Sequence, residues 1–189
     1  MALPDLDTRC STYFTYRNLI ECGETWTRLV EEGRPIANLP ERDETWRGLE
    51  RLADEVLDPL HDRFRRVQLT YGFASPALSR RIPARVAPRL DQHAGAELTA
   101  RGHLVCARGG QAVDLVIPGI DSIDVALWIR DNVPFDRLYV YGADRALHVS
   151  YATAGSRAMF AMVEHGGRRI PRAAAGVDAH AIRRLLAVR

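Results

Sequence analysis

The sequence predicts one α+β domain, residues 1–189, with a central, mostly antiparallel sheet and flanking helices. Three observations predict it. Arg137 to Tyr141 and Ala146 to Tyr151 are β-type runs joined by a Gly142-Ala143-Asp144 turn, which is the pattern of a hairpin. Val113 to Ile117 is a short apolar run behind a glycine turn, the pattern of a buried strand. Leu49, Leu52, Ala53, Val56, Leu57, Leu60 and Phe64 recur at helical spacing and define one apolar helix face.

Taken in order, residues 1–12 read as a loose leader, and Phe14 to Val30 as a short helix with a turn at Gly23. Gly33, Pro35 and Pro40 mark a loop. Asp43 is a candidate cap for the long helix, which Pro59 should kink or end. Val67, Leu69 and Tyr71 alternate as in a half-buried strand. Ser75-Pro76 places a cap and a first-turn proline at the start of a helix reaching Ile82. Residues 83–105 read as an insertion with a second helical pattern, Leu90 to Leu98. Pro118-Gly119 turns into a helix capped by Asp121 or Ser122. Ala158 to Val163 reads as a strand, Gly166 to Arg169 as a turn, and Asp178 as the cap of a terminal helix.

Composition narrows the function. The chain is 47% hydrophobic and 26% charged, a balance that supports a packed core and argues against disorder. A net charge of +2 with interspersed signs gives no electrostatic case for nucleic acid. Cys10, Cys22 and Cys106 have no framework spacing, which favours reduced thiols and a cytoplasmic setting. Cys22 lies between Glu21 and Glu24, whose charges would make it a poor thiolate. No apolar run approaches a membrane span, and no phosphate-loop or dinucleotide motif is present. The expected partner is a small-molecule or peptide-like substrate, with no nucleic acid and no membrane; the oligomeric state is open.

Two residues stand out chemically. Asp114 sits at the mouth of an apolar strand, where a carboxylate needs a cation, donors or a metal. His148 is flanked by Leu147 and Val149 in a second strand. Gly110, Ala112 and Asp114, with the later His148-Val149-Ser150-Tyr151, resemble the signatures of the zinc D-Ala-D-Ala carboxypeptidases and dipeptidases. That family carries Ser-x-His-x-x-Gly-x-Ala-x-Asp and a later histidine. The likeness runs from Tyr13 to Tyr151, through Phe14-Thr15-Tyr16-Arg17, Val56-Leu57-Asp58-Pro59-Leu60 and Ser75-Pro76-Ala77-Leu78. It implies a hedgehog/DD-peptidase-like fold and a zinc site. Three family positions have changed: the first metal histidine falls on Ala107, the substrate arginine on Ala74, and the general-base glutamate near Tyr141.

The expectation is therefore a repurposed enzyme acting on a small cytosolic metabolite by acid/base chemistry, with a degenerate zinc site. Its candidate catalytic residues are His148, Asp114 and His93, and its candidate substrate contacts are Tyr71, Ser75, Arg108, Tyr141 and Ser150. No cofactor is expected, because Ala107 offers no ligand atom; should zinc be bound, Asp114 and His148 would hold it with Cys106 or His93. The alternatives are a metal-dependent peptidase or amidase with substituted ligands and a non-catalytic binding module.

Overall fold

The computed structural model describes residues 4–83 and 87–187. Of the leader expected over residues 1–12, residues 1–3 lie outside the described residues and 4–12 are not loose. They form turns pinned by Asp58, whose carboxylate accepts from Ser11 Oγ at 2.8 Å and from the Thr12 amide at 2.8 Å. Cys10 is buried beneath them, and Arg9 bridges to Thr15. Asp58 is itself buried and also accepts from the Tyr13 amide at 3.4 Å, so removing it strands three donors. Asp58→Ala is expected to cost about 2–3 kcal/mol, read as a melting temperature lower by several degrees, with Asp58→Asn milder.

Thr15 caps helix α1, Tyr16–Ile20, in a reciprocal box with Asn18. Gly23 separates it from α2, Glu24–Glu31. Helix α3, Asp43–Leu52, runs through a π-helical segment, Ala53–Leu57, into α4, Asp58–Phe64. Pro59, expected to kink or end the helix, is absorbed in that passage. It has no N–H to return to the preceding turn, and just before it the Asp58 N–H bonds back five residues, to Ala53 O.

The strands are β1 Gln68–Tyr71, β2 Gln111–Val116, β3 Arg137–Val140, β4 Leu147–Tyr151, β5 Ala158–His165 and β6 Arg168–Ala173. They form one mixed sheet in the order β1-β2-β4-β3-β5-β6, antiparallel at every junction except β3–β5. Arg168 and Arg169, read as a turn, begin β6. Arg-Arg-Ile-Pro-Arg-Ala shows no apolar alternation, and Pro171 is tolerated because β6 is an edge strand. Helix α5 is one turn, Pro76–Ser79, shorter than expected. The insertion carries no α-helix among its described residues: Pro88–Leu90 and Gln92–Ala94 are 3-10 turns, and Gly95 ends the second at φ 59°, a conformation that side-chain-bearing residues rarely adopt. Helix α6, Ser122–Asn132, is capped by Asp121, and α7, Ala179–Ala187, follows Asp178, which accepts from the Ala181 amide. No helix among the described residues is long and apolar enough to cross a membrane.

Side-chain alternation divides the sheet. Val113, Leu115, Leu138, Val140, Leu147 and Val149 are fully buried on the face covered by α3, α6 and α7. Asp114, His148 and Tyr139 point the other way. A bulge in β1 serves both faces: Leu69 pairs with Leu115 and Tyr71 with Asp114, with one extra residue between. Regular alternation would have put Leu69 and Tyr71 on one face. The bulge instead sends Leu69 to the core and Tyr71 to the face bearing Asp114.

Candidate metal centre

Strand register lines up Tyr71, Asp114, His148 and Tyr139 in one row across four strands. Asp114 and His148 are direct partners, and Asp114 Oδ1 lies 2.9 Å from His148 Nδ1. His93 enters this pair from the 3-10 turn above the sheet. Its Nε2 is 3.2 Å from His148 Nδ1 and 3.3 Å from Asp114 Oδ1. Its Nδ1 lies 2.8 Å from the Gly72 carbonyl, which can only accept, so Nδ1 carries a proton and Nε2 faces the centre.

Three basic atoms this close need a proton or a metal ion among them, and a proton on His148 Nδ1 would face both Asp114 Oδ1 and His93 Nε2. Burial works against a charged His93, but the Asp114 carboxylate outweighs it and shifts the imidazole upward from its ordinary value. Burial alone would raise the Asp114 carboxyl; the facing imidazoles outweigh it and hold the group well below the ordinary carboxylate range. The centre thus retains either a proton or a metal ion.

The donor set fits a metal. Two imidazole nitrogens and a carboxylate oxygen are a usual catalytic zinc set, leaving a fourth position open. Bonds of about 2.0–2.1 Å in tetrahedral geometry place neighbouring ligand atoms roughly 3.3 Å apart. The observed separations of 2.9, 3.2 and 3.3 Å approach that spacing. Among the described residues this is the one group of three or more His, Cys, Asp or Glu side chains able to hold an ion. The hydrogen bond from His93 to Gly72 supplies the outer contact that fixes a ligand's tautomer.

His93 is held by its neighbour in sequence. Gln92 is buried, and its Nε2 donates to Asp136 Oδ2 and to Gly109 O, both at 2.9 Å. Its Oε1 accepts from Ser150 Oγ at 2.8 Å. Asp136 also accepts from the Ser156 amide and hydroxyl, so the turn is bound to the sheet through a satisfied polar network. Should the centre hold zinc, Gln92→Ala is expected to weaken its binding about ten- to hundredfold while leaving all three ligands in place, as measured by competition with a chromogenic chelator.

The centre lies in a cleft of about 620 Å³ walled by Tyr71, Tyr139, Tyr141, Asp91, Met162 and Arg169. Tyr71 and Tyr141 therefore stand where substrate contacts were expected. Three expected contacts do not. Ser75 is buried as the cap of α5, its Oγ accepting from the Leu78 amide and donating to Ala37 O. Ser150 is spent on Gln92 and the Arg137 amide. Arg108 is outside the cleft wall. Cys106 is outside the ligand group, and burial pushes its thiol up. Cys22 is a poor thiolate, as expected, but chiefly through burial, which pushes it up to about 12; its neighbouring glutamates are not the cause. Arg169 was missed, because β6 has no strand signal of its own.

No protein-family model, curated protein or solved structure matches the chain.

Proposed function

We propose that the chain is a divergent zinc D-Ala-D-Ala carboxypeptidase/dipeptidase-like protein with a hedgehog/DD-peptidase-like fold, acting as a metal-dependent peptidase or amidase on a small peptide-like substrate. The observation that carries this reading is the convergence of His93 Nε2, Asp114 Oδ1 and His148 Nδ1. His93, from the insertion, takes the place of the histidine missing at Ala107, which is exposed and outside the cleft. A zinc ion held there would act as a Lewis acid toward a carbonyl and acidify a water. The protein's own residues orient that chemistry: Gly72 sets the His93 tautomer, Gln92 fixes its turn, and Tyr71 and Tyr139 flank the centre.

Ala74 cannot clamp a carboxylate, and Tyr141 cannot serve as a carboxylate base at neutral pH. Ordinary D-Ala-D-Ala cleavage is therefore expected to be absent or lower by several orders of magnitude, at ~10²-fold or more for each lost role. The 2.9 Å contact between Asp114 and His148 favours one other reading, a metal-free acid/base pair acting on a small metabolite. Elemental analysis together with hydrolysis of an acyl-amide and dipeptide panel separates the two. The metal reading expects one zinc per chain and turnover that is lost on chelation and restored by zinc. Turnover untouched by chelator, from protein with no affinity for zinc, would overturn it.

A further inference from the structure

The cleft wall contains one guanidinium among the described residues, that of Arg169 at the start of β6. Its central carbon lies 5.2 Å from the centre of the Tyr141 ring. Glu164 is its direct partner across the β5–β6 ladder, yet no ion pair forms between them, and Arg169 is in none of the ion pairs among the described residues. A guanidinium stacked on an aromatic face keeps the N–H groups at its edge free for an oxyanion. Burial pushes the Tyr141 phenol up, which keeps its hydroxyl a neutral donor beside that cation.

In the register of the sheet Arg169 is set apart from the metal ligands: it pairs with Glu164, four residues along β5 from Phe160, the partner of Tyr139. The Tyr139 ring lies 5.1 Å from that of His148. Tyr141 is two residues further along the chain, roughly 6–7 Å in extended geometry, and the guanidinium packs on its ring. A substrate that engages both places carries its anionic group away from the reacting bond, along the direction from Tyr139 to Tyr141. Tyr139, Tyr141, Met162 and Pro171 supply an apolar, partly aromatic wall between them.

We propose that Arg169 and Tyr141 form an oxyanion subsite that takes the distal carboxylate or phosphate of an elongated substrate whose reacting bond lies at the His93–Asp114–His148 centre. This deepens the proposed function and rests on it for the reacting bond. The anion subsite itself needs no metal, so the two can fail separately.

The test uses chelator-treated full-length protein, so that no anion is held by zinc. Calorimetric titration compares 4-phenylbutyrate, 4-phenylbutyl phosphate and the neutral 4-phenylbutanamide against wild type, Arg169→Met and Arg169→Lys. Wild type is expected to bind at least one anion about tenfold or more tightly than the amide, the worth of a charge-assisted hydrogen bond. Arg169→Met should abolish that preference and Arg169→Lys restore part of it, with circular dichroism confirming that both variants are folded. The tighter anion identifies the source as carboxylate or phosphate. Equal binding of amide and anions to wild type, or a preference that survives in Arg169→Met, overturns the subsite. Zinc titration of the same wild-type sample reads the metal centre independently.

Discussion

Replacing His93 with alanine is expected to weaken zinc binding by at least about a thousandfold, more than the loss of an outer-shell contact, and to abolish metal-dependent turnover. His93 supplies the third convergent atom, and no other His, Cys, Asp or Glu among the described residues completes the group. The fold should survive, because the sheet core packs on the opposite face from His93. A far-ultraviolet spectrum and a cooperative melt check this. The double variant His93→Ala, Ala107→His tests whether the centre has been rebuilt. Position 107 is exposed and outside the cleft, so a histidine there should not recover zinc. Recovery would show that the site follows the family arrangement after all, and zinc affinity unchanged in His93→Ala would remove the metal centre altogether.

The second large effect is on pH dependence. The shift of His93 is upward from its ordinary value, so zinc must displace a proton from the centre at any pH below that raised value. Apparent zinc affinity should rise about tenfold per pH unit until pH passes the raised value. Proton release should appear as a dependence of the binding heat on the ionisation enthalpy of the buffer. Stability of the zinc-free protein should follow the same groups. The raised imidazole contributes stability that is complete below about 6.5 and is lost as pH rises through its folded value. The depressed Asp114 carboxyl contributes stability present above about 3.9 and lost as pH falls through its lowered folded value. Zinc-free protein should therefore melt highest at mildly acidic pH and lower toward pH 9, while excess zinc reverses the alkaline part of that trend. A zinc affinity constant from pH 6 to 9 would show that no proton is displaced.

The sequence by itself determined the α+β class, the long apolar helix, the β3–β4 hairpin and the two strand-borne residues Asp114 and His148. Each depends on local periodicity, turn chemistry or the rule that a carboxylate in a strand needs a partner, and each is carried by residues close together in the chain. His93 was legible only as one of two candidate ligands. What selects it over Cys106 is the Gln92 turn, tied to Asp136 and Ser150 across 44 and 58 residues, and a carbonyl at Gly72 that aims its ring. The β1 bulge, which lets Leu69 and Tyr71 face opposite sides, is likewise set by pairing with β2. Arg169 joins the cleft only because an edge strand without apolar alternation docks beside β5 and stacks its cation on Tyr141. Local sequence encodes which face a residue takes within its own strand; which distant residue meets it there is decided by packing and by satisfying buried polar atoms, so it appeared only when the chain was closed.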